Sequence, residues 1–181
     1  MLKIYSKTFV YYNFILTFVK KSITSLLRIM SKLKIGDKAP KFTGKDENGR
    51  DLSLSDYAGK KLVLYFYPKD NTPGCTAESC NLGENYDALR KKGFEVLGVS
   101  ADSQKKHQGF IKKYALPFRL LADEDKKVIE AYGVWGPKKF MGVDFDGIIR
   151  TTFVIDEKGI IERVFDKVET KNHSQQILAT Y

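Results

Sequence analysis

The apolar run Leu62–Tyr67 is the feature that most constrains what this chain can fold into. A strand with one face in water alternates apolar and polar residues, whereas a strand buried on both faces is apolar throughout. The run is short and rich in aromatic residues, which favours a strand over a buried helix. We therefore predict a strand at the centre of a sheet that is covered on both faces.

The chain from Lys34 onward supplies the neighbours that such a strand needs. A second buried strand is predicted at Phe94–Ser100, and the sequence between the two provides the helical crossover that parallel strands require. The Asn48-Gly49 pair predicts a hairpin turn. Further strands are predicted at Arg119–Ala122, Thr151–Asp156 and Gly159–Phe165, and helices at Thr76–Lys92, Ser103–Tyr114, Asp125–Tyr132 and Asn172–Tyr181. This order is that of an α/β, thioredoxin-like fold, with a central mixed β-sheet flanked by helices.

Charge is distributed unevenly along the chain. The net charge of +9 belongs mostly to residues 1–34, which hold seven lysines and arginines and no acid. The remainder has 24 bases against 22 acids, which does not indicate a nucleic-acid-binding surface. The uncharged stretch Thr8–Val19 is too short to span a membrane as a helix.

We interpret residues 1–29 as a basic and apolar extension and residues 30–181 as one domain. The extension fits a signal peptide poorly, because no small-residue cleavage site is evident, and a transit peptide poorly, because arginine is scarce. A natural start at Met30 is the third interpretation. The domain is expected to be a cytoplasmic monomer without stable membrane insertion.

Two cysteines and two histidines exclude several kinds of site. A disulfide scaffold of this length needs more cysteines. Zinc ligands come in closely spaced pairs, and neither His107 nor His173 is near a cysteine in the sequence. No metal site is therefore expected. By number alone, Cys75 and Cys80 fit two buried, inert thiols, but their setting indicates chemistry.

Cys75 is predicted to lie in the first turn of a helix that follows the buried strand. Pro73 and Gly74 precede the helical pattern, so the sulfur would meet unpaired backbone N–H groups and the positive end of the helix dipole, which favour the nucleophilic thiolate. Thr72 is either a plain N-cap or a hydroxyl that donates to one peroxide oxygen and orients it. Pro68 ends the strand and could also roof the pocket against water.

Cys80 follows Cys75 by five positions. On an intact helix the two Cα atoms would be roughly 8–9 Å apart and on different faces, beyond the limit of about 7 Å for a disulfide without backbone movement. Either the pair never bonds, or the helix unwinds. Asn81 and Gly83 are weak helix formers and would ease local unwinding.

A cation beside the sulfur would hold the thiolate and stabilise charge on the leaving oxygen. Arg150, before the predicted strand Thr151–Asp156, is the preferred candidate. Four other arginines lie in turn-like or amphipathic settings that indicate solvated side chains: Arg50, Arg90, Arg119 and Arg163.

Pro68, Thr72 and Cys75 form the Pro-x-x-x-Thr-x-x-Cys pattern that is typical of peroxiredoxins. With Cys80 five residues on, and with the tracts 133–142 and 147–156, the chain from about Leu33 resembles the PrxQ subfamily, also called bacterioferritin comigratory protein. The resemblance implies a peroxidatic role for Cys75, a resolving role for Cys80 and a pocket formed by Pro68, Thr72 and Arg150. It also implies that Glu78 helps to hold the arginine.

The resemblance implies a thiol peroxidase that reduces hydrogen peroxide and organic hydroperoxides. Cys75 would become a sulfenic acid, Cys80 would convert it to an intramolecular disulfide, and thioredoxin or a similar dithiol would reduce that disulfide. No metal, haem or flavin would be needed. The alternatives are a disulfide reductase on the same fold, and a non-catalytic protein that binds membranes or nucleic acid through residues 1–34.

Overall fold

The structure is a computed structural model that describes residues 33–140 and 142–181. Its strands are β1 (Thr43–Asp46), β2 (Asp51–Ser53), β3 (Lys61–Phe66), β4 (Phe94–Ser100), β5 (Arg119–Ala122), β6 (Trp135–Phe140), β7 (Val143–Ile148), β8 (Thr151–Ile155) and β9 (Ile161–Phe165). Its α-helices are α1 (Pro73–Glu84), α2 (Tyr86–Lys91), α3 (Gln104–Tyr114), α4 (Lys127–Ala131) and α5 (His173–Leu178), with a 3₁₀ turn at Leu54–Tyr57. The predicted extension, residues 1–29, lies outside the described residues.

The apolar run forms β3, which lies inside a seven-stranded sheet of order β2-β1-β5-β4-β3-β8-β9. β3 pairs parallel with β4 and antiparallel with β8, and β4 pairs parallel with β5. The sheet is therefore mixed, as predicted. Both predicted hairpins are present, as the antiparallel pairs β1–β2 and β8–β9.

Alternate residues of β3 point to two separate apolar cores. Leu62, Leu64 and Phe66 join the cluster on one face of the sheet. Val63 and Tyr65 join the cluster on the other face, which also contains Cys75. The pleat of a strand sends successive side chains to opposite faces, so burial on both faces explains why the run has no polar position. It also places the helix that carries Cys75 against the second core.

The predicted helix Thr76–Lys92 is two helices in the structure. It begins earlier, at Pro73, because proline suits the first helical turn, where its missing N–H costs nothing. It breaks at Asn85, which separates α1 from α2 and whose side-chain amide donates to the Asn81 carbonyl at 2.9 Å. The predicted end at Gly93 is confirmed, since this residue has a left-handed φ of 85°.

The hairpin β6–β7 was not predicted. β7 is exposed over its first four residues and β6 contains glycine, proline and lysines, so neither strand carries an apolar pattern. No helix within residues 33–140 and 142–181 is long and apolar enough to cross a bilayer.

Candidate active site

The site lies where the buried strand β3 gives way to α1. Cys75 is the third residue of α1, after Pro73 and Gly74, and only 1% of it is exposed. It carries a free thiol, as does Cys80 on the same helix. The first turn of a helix has unpaired N–H groups and the positive end of the dipole, so a thiolate at this position is electrostatically favoured.

The structure brings Arg150 to Cys75 across 75 positions of sequence. Arg150 immediately precedes β8, whose pairing with β3 places the guanidinium above the N-terminus of α1. Nη2 donates to Cys75 Sγ at 3.2 Å, and Nη1 donates to Glu78 Oε2. Burial alone would lower the pKa of Arg150, but the charges of Glu78 and Cys75 outweigh burial and raise it. The guanidinium therefore stays charged.

Arg119 differs from the sequence-based expectation of a solvated side chain. Its Nη2 donates to Asp46 Oδ2 at 2.8 Å, and the side chain of Asp46 is buried. The pairing of β1 with β5 places these two residues side by side. This ion pair is separate from the cysteine site.

Thr72 occupies the N-cap position of α1 but does not cap it. Its Oγ1 donates to the carbonyl of Lys69 at 3.0 Å. The hydroxyl proton is therefore donated within the loop, and in this arrangement the oxygen can accept a hydrogen bond from a substrate. The Lys69 carbonyl that takes this proton was not evident from the sequence, and the role of Thr72 toward a peroxide stays a prediction. Pro68 is half-buried and directly follows Tyr67 at the end of β3.

A buried polar network holds the loop between β3 and α1. Tyr67 donates to Asp70 Oδ1 at 2.7 Å, and His107 Nδ1 lies 2.8 Å from Asp70 Oδ2. The backbone N–H of Asp70 donates to Asp102 at 2.8 Å. Sequence reasoning missed these residues because their contacts join distant segments, and no local pattern marks them.

Glu78 is fully buried on α1, and only one of its oxygens is paired. Its Oε1 has no hydrogen-bond partner among the described residues, and the ring nitrogen Nε2 of His173 is 3.9 Å away from it. Burial raises the pKa of Glu78 to about 7, although Arg150 opposes the shift. The carboxyl thus titrates near neutrality.

His173 was not predicted to belong to the site. Gln176 Oε1 accepts from the Glu169 N–H, so His173 Nδ1, 2.9 Å from that oxygen, must be a donor. The lone pair on Nε2 then accepts from the Thr152 hydroxyl at 2.8 Å. Burial lowers the pKa of His173 to about 4, which keeps the ring neutral.

The AhpC/TSA family description matches residues 35–164 of this chain. The chain belongs to the AhpC/TSA family. Peroxiredoxin Bcp of Escherichia coli is 49% identical over 149 residues, which cover 82% of this chain and 96% of that protein. Peroxiredoxin Bcp of Bacillus subtilis is 45% identical over 148 residues, covering 82% and 94%.

Solved structures of the PrxQ kind share the architecture. A mutant of PrxQ from Xylella fastidiosa matches with a TM-score of 0.77 at 33% identity, covering 83% of this chain and 96% of that one. A mutant of peroxiredoxin Q from Xanthomonas campestris matches with a TM-score of 0.72 at 35% identity, covering 77% and 88%. The predicted subfamily and the thioredoxin-like fold are confirmed.

In this peroxiredoxin, Glu78 is expected to make the free energy of unfolding depend on pH. The carboxyl has a pKa of 4.5 when unfolded and about 7 when folded, so between these values the folded state holds the extra proton. Stability should then fall by about 3 kcal/mol as the pH rises from 4.5 to 7. Glu78→Gln should remove this part of the dependence, as measured by urea unfolding of the reduced protein.

Glu84→Gln is the matched control, because Glu84 is an exposed carboxyl on the same helix. It should leave the pH dependence of stability close to that of the wild type. If the wild type and Glu78→Gln lose stability in parallel across this range, Glu78 does not hold its proton in the folded state.

Proposed function

We propose that this peroxiredoxin reduces hydroperoxides by attack of the Cys75 thiolate. The observation that carries the proposal is the buried sulfur at the start of α1 with Arg150 Nη2 at 3.2 Å. The sulfur forms a bond to the terminal peroxide oxygen and the O–O bond breaks. Sulfur gives up two electrons, and the departing oxygen takes a proton from water and leaves as an alcohol, or as water from hydrogen peroxide.

Three neighbouring residues contribute to this step in different ways. Arg150 holds the thiolate and stabilises the charge that develops on the departing oxygen. The Thr72 oxygen, whose proton goes to Lys69, accepts a hydrogen bond from the peroxide O–H and orients it. Pro68 covers the pocket and limits the access of water.

We propose that Cys80 resolves the sulfenic acid. The Cys80 sulfur attacks the Cys75 sulfur, a disulfide forms and water leaves. Both cysteines lie on the intact α1, so ideal helix geometry keeps their Cα atoms roughly 8–9 Å apart and α1 must unwind first. Burial and the charge of Glu84 raise the pKa of Cys80, so it stays a thiol while the helix is folded. A thioredoxin dithiol then reduces the disulfide.

Cys80→Ser should consume a first equivalent of peroxide per chain as fast as the wild type but should not turn over with thioredoxin. The first step needs only Cys75, whereas the sulfenic acid has no internal partner and proceeds to sulfinic acid with excess peroxide. Mass spectrometry of the oxidised variant should show this added oxygen, and the wild type should show an intramolecular Cys75–Cys80 link. A link between chains would contradict intramolecular resolution.

The proposed function is tested by following NADPH oxidation through thioredoxin reductase and thioredoxin. The wild type should consume NADPH only when hydrogen peroxide or an organic hydroperoxide is added. Consumption with a disulfide substrate such as insulin, and indifference to peroxide, would instead indicate a disulfide reductase.

We further propose a cytoplasmic monomer whose peroxidase domain is residues 30–181. In support, the described unit begins at Leu33 and holds every residue of the site. A chain that starts at Met30 should retain the wild-type peroxidase rate, and gel filtration should report one chain per particle.

A further inference from the structure

We propose that α5 acts as a latch that holds α1 through hydrogen bonds to Asn81. The latch controls how often α1 unwinds. It therefore controls whether Cys80 or a second peroxide reaches the Cys75 sulfenic acid first. This role rests on the proposed function above. It makes Asn81 and Ser174, which lie outside the peroxide pocket, positioning residues for the resolving step.

Asn81 uses both ends of its side chain to hold the C-terminal segment. Its Oδ1 accepts from the backbone N–H of Ser174 at 2.8 Å and from the Ser174 hydroxyl at 2.9 Å. Its Nδ2 lies 3.2 Å from the Lys171 carbonyl and 3.3 Å from Gln175 Oε1. Asn81 follows Cys80 directly, so these bonds tie down the turn that must open.

A second tie joins the same two helices at the end of α1. Gln175 Nε2 lies 3.4 Å from Asn85 Oδ1, and the Asn85 amide also donates to the Asn81 carbonyl. The bonds between α1 and α5 thus gather on residues 81–85. Sequence reasoning took Asn81 as a weak helix former that eases unwinding, whereas in the structure its side chain opposes it.

α5 has one attachment to the sheet that does not involve α1. His173, at its start, is fully buried and bonded to Thr152 of β8. Ile177 is fully buried in the second core, to which Cys75 and Leu82 of α1 also belong. When α1 unwinds, the bond between His173 and Thr152 need not break, so α5 can stay in place and bind Asn81 again.

Asn81→Ala distinguishes the effect of the latch from the effect of helix propensity, because the two predict opposite changes in the rate at which α1 unwinds. Alanine is the better helix former, so propensity alone would slow unwinding. Loss of the latch should instead speed disulfide formation roughly tenfold, because hydrogen bonds that favour the wound helix are removed. Rapid mixing of reduced protein with one equivalent of peroxide, quenched and resolved by mass spectrometry, measures this rate.

Three further readouts test the same variant. The rate of the first step, consumption of the first peroxide equivalent, should not change. The overoxidised fraction at high peroxide should fall by about the factor by which disulfide formation rises. In the reduced protein, amide exchange over residues 76–83 should quicken by a similar factor, a readout that needs no peroxide chemistry.

Ser174→Ala leaves the sequence of α1 untouched and removes the hydroxyl, which lies 2.9 Å from Asn81 Oδ1 and 2.8 Å from Gln175 Oε1. The backbone N–H bond from Ser174 to Asn81 remains. It should also speed disulfide formation, but by a smaller factor than Asn81→Ala. If Asn81→Ala does not fold, Ser174→Ala tests the latch by itself. The double variant should be no faster than Asn81→Ala, since both changes remove the same contact. Gln108→Ala is the matched control, because Gln108 lies on α3 and its side chain bonds to the Glu47 carbonyl, away from α1.

The latch is overturned if disulfide formation and amide exchange in Asn81→Ala and Ser174→Ala are unchanged or slower, while the wild type still forms its disulfide. Equal acceleration in Gln108→Ala would also overturn it, because general destabilisation would then explain the effect. If the wild type forms no disulfide with peroxide, the proposed resolution by Cys80 fails and the role of the latch fails with it, whereas the peroxide step at Cys75 is tested separately by consumption of the first equivalent.

Discussion

Cys75→Ser is expected to abolish peroxide turnover, with a loss of at least about a thousandfold relative to the wild type. A serine hydroxyl remains protonated at neutral pH and cannot replace the thiolate nucleophile, even beside Arg150. The substitution is nearly isosteric at a position that is 1% exposed, so the fold should survive. The thioredoxin-coupled rate measures the loss, and circular dichroism checks the fold.

Cys80→Ser is the control for this experiment, since it removes a thiol from the same helix but leaves the first step intact. A peroxide rate in Cys75→Ser near that of the wild type would refute the assignment of the nucleophile. Both variants are expected to lose peroxide turnover with thioredoxin. Only Cys80→Ser is expected to consume the first equivalent of peroxide at the wild-type rate.

Arg150→Ala is expected to slow peroxide attack by roughly 100- to 1,000-fold, the cost typical of losing one charge-stabilising donor. The 3.2 Å contact between Nη2 and Cys75 Sγ is lost in this variant. Single-turnover peroxide consumption measures the effect. A rate close to that of the wild type would show that another group stabilises the developing charge.

The change also leaves Glu78 buried without its cation, and removing one partner of a buried pair can cost about 3–5 kcal/mol. The pKa of Glu78 should rise further, since Arg150 is the group that lowers it. Arg150→Ala combined with Glu78→Gln should recover stability but not the peroxide rate. Arg119→Ala is the matched control, because it breaks the ion pair with Asp46 and leaves the cysteine site intact.

The roles that depend on neighbouring positions in the chain could be predicted from the sequence. Pro73 and Gly74 marked the start of α1, and the five-residue spacing placed Cys80 out of reach on the same helix. The apolar run marked β3 because burial on both faces leaves no position for a polar residue.

Contacts between distant segments could not be predicted in the same way. Arg150 was only a preferred candidate, since nothing local distinguishes a guanidinium that will meet Cys75 from one that will meet solvent. Arg119 shows the difficulty, because its partner Asp46 becomes its neighbour only when β1 pairs with β5.

The sequence by itself predicted Cys75 as the nucleophile, and it determined the place of Cys75 in a helix and the order of the strands and helices apart from the hairpin β6–β7, because backbone propensity, hydrophobic period and motif spacing are local properties. Only the tertiary structure decided which cation reaches the sulfur, that Glu78 is buried with one oxygen unpaired among the described residues, and that Asn81 fastens α1 to α5. These contacts arise from the pairing of β3 with β8 and from the docking of the last helix on the second core. Packing of this kind is set by the whole chain at once, and no single segment encodes it.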